Sequence, residues 1–198
     1  MSHARDSTGV HDVPYFDAFA PVYDLVMPAA ERAPLTAGLA HAERDVERVL
    51  DLGGGTGRAA RALGGATVVD ASRGMLERAT ADDLPVVQGD VGALPVRSDA
   101  ADAAVVVDAL HHFPDVPAAL SEAARVLRPG GVLVVREFDP STVRGRLLEA
   151  AEHAIRFDST FYAPDALQNL LADAGFSAHV VERGFAYTVA GVREQRSE

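Results

Sequence analysis

The sequence predicts an open α/β sheet, mostly parallel, with helices on both faces. Three observations carry that expectation. Short β-branched runs alternate with Ala/Leu/Arg-rich segments from residue 47 to about 140. Those runs are continuously apolar rather than alternating, as in strands covered on both sides. Four glycines, Gly53, Gly54, Gly55 and Gly57, crowd together directly after the first run. Such a cluster weakens strand and helix alike, so it marks a loop where the backbone itself must come close to something.

The elements follow in order. Residues 1–13 are polar and read as a frayed start. "YFDAFAPVYDLVM" sets aromatics at 15, 16, 19 and 23, one face of a helix broken near Pro21 and Pro28. Residues 31–45 read as a second helix. "ERVLDLG" is a strand over 47–52, and a helix starts near Arg58. "ATVVDAS" is a strand ending near Asp70, and "SRGMLERAT" is a helix with Ser72 as N-cap. "LPVVQGD" is the third strand, and the fourth centres on Val105–Val107. "DVPAALSEAARVLRPGG" is a helix stopped by Pro129 and the Gly130–Gly131 pair. "GVLVVREFD" is the fifth strand, followed by helices over about 142–156 and 164–174. The tail carries two apolar runs parted by Arg183–Gly184, an antiparallel hairpin at the sheet edge. Phe176 and Phe185 are expected in the core.

The totals exclude several function classes. The chain has 198 residues, 48% of them hydrophobic, which suits one globular unit with a sizeable core. Cysteine is absent, so disulfides, thiolate nucleophiles and Cys-ligated zinc are excluded. Seven histidines remain, of which only His111 and His112 adjoin, and adjacent positions make no known metal spacing; no metal is expected. The formal charge is −11, and all 18 cations are arginine. An acidic surface repels phosphate backbones, so nucleic acid is a poor partner. No apolar stretch reaches the ~20 residues of a membrane span. The first residues lack the apolar core of a secretory signal, which makes the cytoplasm the expected location.

In an open parallel sheet, ligands lie beyond the carboxyl ends of the strands. Glycines there let main-chain N–H groups face a nucleotide-like ligand, and the next helix adds a partial positive charge. Gly55-Thr-Gly57-Arg-Ala-Ala60 formally matches the dinucleotide pattern G-x-G-x-x-G/A, with Asp70 placed to hold ribose hydroxyls. A phosphate-binding P-loop is excluded, because the chain has no lysine.

"VLDLGGGTG" resembles motif I of the class I S-adenosylmethionine-dependent methyltransferases: Asp51, then glycines at alternate positions 53, 55 and 57. "VVDAS", "VVQGDVGALPVRSDAAD", "VVVDALHHFPD" and "EAARVLRPGGVLVV" resemble motifs II to V, in order and at natural spacing. The resemblance covers roughly residues 12–192. "FDAFAPVYDLVM" resembles the N-terminal segment of the branch containing the ubiquinone/menaquinone C-methyltransferases. It implies a Rossmann-like, doubly wound sheet of order 3-2-1-4-5-7-6 with an antiparallel last strand. It also implies a helical cap over 1–45 and a cofactor-binding unit over 46–198.

The resemblance further assigns roles. Asp51 would stand near the methionine ammonium, Gly53, Gly54, Gly55 and Gly57 would cradle the cofactor, and Asp70 would accept from the ribose hydroxyls. Ala71 and Met75 would also contact the cofactor. Asp90 and the Val91 N–H would meet the adenine, Asp108 and Ala109 would also contact the cofactor, and Tyr15 and Tyr23 would reach the sulfonium or its carboxylate from the cap. Methyl transfer needs no universal base, but Asp108, His111 and His112 sit where one would act. Glu137, Phe138, Asp139, His153, Phe157, Phe161 and Tyr162 are candidate walls of the acceptor pocket. The expected function is transfer of a methyl group to a small molecule by a monomer or homodimer. The alternatives are a non-catalytic cofactor-binding protein of the same fold and, from the Gly55–Ala60 match, an NAD-type oxidoreductase.

Overall fold

The computed structural model describes residues 13–154 and 159–194; residues 1–12 of the expected frayed start and Phe157 lie outside them, while Val13 opens the first helix. β1 (Val49–Leu52), β2 (Thr67–Asp70), β3 (Val86–Gln88), β4 (Ala101–Val107), β5 (Leu127–Phe138), β6 (Phe176–Glu182) and β7 (Ala186–Arg193) form one sheet. Its order is β3-β2-β1-β4-β5-β7-β6, as the resemblance implied. β1 pairs in parallel with β2 and with β4, whereas β7 runs antiparallel between β5 and β6. The chain order therefore reverses at β1, whose neighbours lead away in opposite directions and leave a crevice at its carboxyl end.

The helices are α1 (Val13–Val26), α2 (Arg32–Leu39), α3 (Arg58–Leu63), α4 (Arg73–Ala81), α5 (Val116–Val126), α6 (Val143–Ala154) and α7 (Pro164–Asp173). A 3-10 turn over Leu110–His112 follows β4. β4 is buried along nearly its whole length, with Ala103, Ala104 and Val105 fully enclosed. The apolar runs thus found helices on both faces. One core cluster joins β4 and β5 to α5 and α7, and another joins them to Leu35 of α2.

Several boundaries differ from expectation, each for a hydrogen-bonding reason. α1 continues through Pro21, which lies exposed on the helix's outer side. A proline at such a position costs the helix one N–H without burying its ring in the core. α2 stops at Leu39 rather than 45. The Glu43 N–H donates to the Gly130 carbonyl at 2.9 Å and Arg44 to Pro129 at 3.2 Å, which draws the chain out of the helix. β1 starts two residues late because the Glu47 and Arg48 N–H groups donate to Asp102 Oδ2. α5 ends at Val126, before the Pro–Gly–Gly stop, because the Asp99 and Ala100 N–H groups take the carbonyls of Arg125 and Val126. Ser72 does cap α4, accepting from the Met75 N–H at 3.2 Å. Phe176 is in the core, but Phe185 is only half-buried, tilted against Phe138 in the turn before β7.

Candidate functional site

The glycine loop begins where β1 ends. Gly53 and Gly55 have φ of +65° and +56°, a left-handed conformation that side chains resist. A Cβ on Gly55 would meet nothing closer than Met75 Sδ at 3.9 Å, so one face of the loop is bare backbone. A Cβ on Gly57 would strike Leu84 at 2.3 Å. A glycine at 57 thus lets α3 pack closely on its neighbours.

Two carboxylates flank the loop. Asp51, 1% exposed, accepts from the Ala60 N–H at 3.0 Å and so holds the start of α3. Burial raises its pKa to about 7, against the opposing pull of that N–H. Asp70, at the end of β2, accepts from the Gly55 N–H and the Ser72 N–H, each at 2.8 Å. Burial raises its pKa too. Each Asp70 oxygen retains acceptor capacity for a hydroxyl.

α1 lies across this crevice and is tied to it. Asp17 Oδ1 accepts from Ser72 Oγ at 2.6 Å and from the Gly74 N–H at 2.8 Å, while Asp24 accepts from Thr56 Oγ1 at 2.6 Å. Tyr15, Phe19 and Tyr23 form an aromatic row with ring centroids 5.8 and 5.9 Å apart. Tyr23 reaches the crevice, where the Arg58 guanidinium lies 5.6 Å from its ring centre; Tyr15 is 46% exposed and does not line it. The crevice is walled by Tyr23, Asp51, Gly53, Gly54 and Gly55, and across from them by Arg58, Ala59, Val107 and Asp108.

Arg58, Ala59 and Val107 are lining residues that sequence reasoning missed. Arg58 carried a signal. A cation as the first residue of a helix opposes the helix dipole, so other interactions must hold it there. Its Nη2 donates to Asp108 Oδ2 at 2.9 Å and its Nη1 to the Pro28 carbonyl at 2.6 Å. Asp108 itself has φ of +52°, unusual for a residue other than glycine. Burial raises its pKa, and Arg58 opposes that shift.

The other expected cofactor residues are more dispersed. Met75 is buried beside Gly55, and Ala71 is exposed at the β2 end. Asp90 is exposed and accepts from the Gly92 N–H at 2.8 Å, with Val91 buried next to it. Ala109 is buried, its N–H donating to Glu137 Oε1 at 3.0 Å.

Beyond β4 the two histidines diverge. His111 is 4% exposed, with Nδ1 2.8 Å from Glu137 Oε2 and its ring stacked on Phe161 at 4.4 Å. Burial lowers its pKa, but the Glu137 and Glu152 carboxylates prevail and the net shift is upward. His112 Nδ1 lies 3.3 Å from Ser159 Oγ, and its ring meets Phe16 of α1 edge-on at 5.2 Å. Burial, with His111 adding to it, lowers its pKa to about 3, so it stays neutral. Glu137 and Phe161 thus join the histidines, His153 touches the Ser159 carbonyl, and the Tyr162 carbonyl accepts from Tyr187. Asp139 turns away to hold the Ser141 N–H, and Phe138 packs on Phe185.

A methyltransferase-domain family model matches residues 50–135, from β1 through most of β5. A demethylmenaquinone methyltransferase of Mycobacterium sp. (strain KMS) is 38% identical over 156 residues, 73% of this chain and 67% of the relative. The chain belongs to the S-adenosylmethionine-dependent methyltransferases. A second demethylmenaquinone methyltransferase, from Corynebacterium kroppenstedtii, is 37% identical over 65% of this chain and 60% of its own length. The chain thus spans 60–67% of the length of these curated relatives. A solved S-adenosylmethionine-dependent methyltransferase of Thermotoga maritima, described as a possible histamine N-methyltransferase, superposes with TM-score 0.79 at 25% identity. That match covers 93% of this chain and all of the other. The crevice combines open backbone at Gly55, the Asp70 carboxylate bonded to the Gly55 N–H and the buried Asp51 carboxylate. Among the described residues, no helix is long and apolar enough to cross a membrane.

Proposed function

We propose that this methyltransferase moves the sulfonium methyl of S-adenosylmethionine to a small, oxygen-bearing aromatic acceptor, of the kind its demethylmenaquinone-methylating relatives are named for. The supporting observation is the Gly53–Gly55 loop at the sheet's reversal point, its amide turned to Asp70 and its Cβ space open. In this reading Asp70 accepts from the ribose, the Asp51 carboxylate faces the ammonium, and Arg58 faces the methionine carboxylate. Tyr23 covers the sulfonium side, and Asp90 and Val91 meet the adenine. The cofactor supplies an electrophilic methyl on a good leaving group. The protein's work is to align the acceptor and exclude water, and α1 is placed to do both. On the acceptor side, Phe16, His112 and Phe161 offer an aromatic wall.

A thermal-shift comparison tests the reading. At 100 times its dissociation constant, S-adenosylhomocysteine is expected to stabilise the fold by about 2.7 kcal/mol, while NAD leaves the melting point unmoved. Isotope-labelled methyl transfer to a reduced naphthoquinone, against an aliphatic amine, then tests the acceptor. A melting point indifferent to S-adenosylhomocysteine overturns the proposal; label on the amine alone overturns its acceptor half.

A further inference from the structure

The turn after β4 and the distant helix α6 bring together three metal-ligating side chains. Donor atoms of His111, His112 and Glu152 all lie within 4.8 Å of one another. We propose that these three residues bind a borderline-soft divalent transition ion, Zn2+ being the best match, on the acceptor side of the crevice.

Three features of the cluster point to a cation. First, Glu137 Oε2 sits 2.8 Å from His111 Nδ1, and the same carboxylate's Oε1 accepts from the Ala109 and Leu110 N–H groups at 3.0 and 2.8 Å. A carboxylate so anchored holds the proton on Nδ1 and leaves the Nε2 lone pair facing outward, the arrangement that orients metal-binding imidazoles. Second, that Nε2 and Glu152 Oε1 lie 3.7 Å apart, too far for a hydrogen bond, so two electron-pair donors face each other. Third, Glu152 Oε2 is enclosed and, among the described residues, has no hydrogen-bond partner. An enclosed carboxylate oxygen without a partner is costly, and a cation relieves it.

A proton on Nε2 is the competing occupant. It would ease the 3.7 Å contact but leave Oε2 still unmatched. A metal ion, bridging both histidines and the carboxylate, answers all three features. Zn2+ bonds of about 2.0–2.2 Å set ligands roughly 3.3 Å apart, so side-chain rotations of about an ångström close the site. Two nitrogens and one oxygen favour zinc over magnesium or calcium. Three protein ligands leave a fourth position open, as in zinc sites that activate an oxygen. That catalytic use rests on the proposed methyl transfer; ion binding does not.

The test uses the full chain, stripped with a chelator and titrated by calorimetry with Zn2+, then with Co2+ for its visible absorption. One ion per chain is expected, with a tetrahedral or five-coordinate cobalt spectrum. Glu152→Gln and His112→Ala should each weaken uptake at least tenfold, and His41→Ala, at the His41–His179 stack, should not. Far-UV circular dichroism and S-adenosylhomocysteine affinity, measured on the same variants, report their folding. Absence of stoichiometric uptake overturns the site, as does uptake unchanged in both Glu152→Gln and His112→Ala. Ion uptake without S-adenosylhomocysteine binding would instead sink the proposed function and leave the metal site standing.

Discussion

Gly55 concentrates the cofactor proposal in one residue. Gly55→Ala adds a methyl whose nearest atom beyond its chain neighbours is Met75 Sδ at 3.9 Å, so the folding cost is the strain at φ +56°, about 1–2 kcal/mol. It should nevertheless weaken S-adenosylhomocysteine binding sharply, because the methyl occupies the open face of the loop; calorimetry on the folded variant checks this. Asp70→Ala should cost about 1–3 kcal/mol of that binding as two hydroxyls lose a charged acceptor. Asp51 makes a pH-dependent claim. Its folded pKa of about 7 lies above the ordinary carboxylate value because burial disfavours the charge. The folded chain therefore holds this proton more tightly than the unfolded chain, and the stability it lends is lost as pH rises from about 4 to about 7. Only the ionised form attracts an ammonium, so S-adenosylhomocysteine affinity should rise with pH through about 7, by roughly tenfold at most between pH 6 and 7.5. In Asp51→Asn that rise should vanish. A residue's type and spacing made Asp51 and Asp70 legible in the sequence. Glu152 was not, because nothing near it in the chain hints at His111.

At the scale of elements, α1 is tethered at two places beside the crevice. Asp17 joins its first half to the N-terminal turn of α4, and Asp24 joins its second half to Thr56 in the glycine loop. Asp17→Ala removes two hydrogen bonds at an exposed position, about 1 kcal/mol, so the helix should lift roughly fivefold more often. Faster hydrogen exchange confined to α1, with the global melting point nearly unchanged, is the expected result. The aromatic spacing at 15, 19 and 23 showed a helix with one sticky face. It did not show which partner that face meets, since periodicity reports a surface and not its neighbour. Pro21 misled for a related reason: a proline breaks a helix only where its lost hydrogen bond and ring cannot be accommodated, and here it lies exposed.

Across the whole molecule, Asp102 links the segment before β1 to the sheet's centre. It is 3% exposed, accepts from the Glu47 and Arg48 N–H groups, and pairs with Arg44 at 3.0 Å and Arg128 at 2.6 Å. Asp102→Ala should lower the unfolding free energy by about 2–3 kcal/mol in urea titration, since it strands two N–H groups and two cations. Alternating apolar and helical segments determined the sheet class, and five ordered motifs determined strand order and family. These signals are local in the chain, so a reader of residues recovers them. Tertiary structure alone decided that Arg58 faces Asp108 under Tyr23, that Gly57 serves packing, and that Glu152 joins the histidines. Each of those depends on residues far apart in sequence arriving within a few ångströms, a distance set by how the helices lie on the sheet.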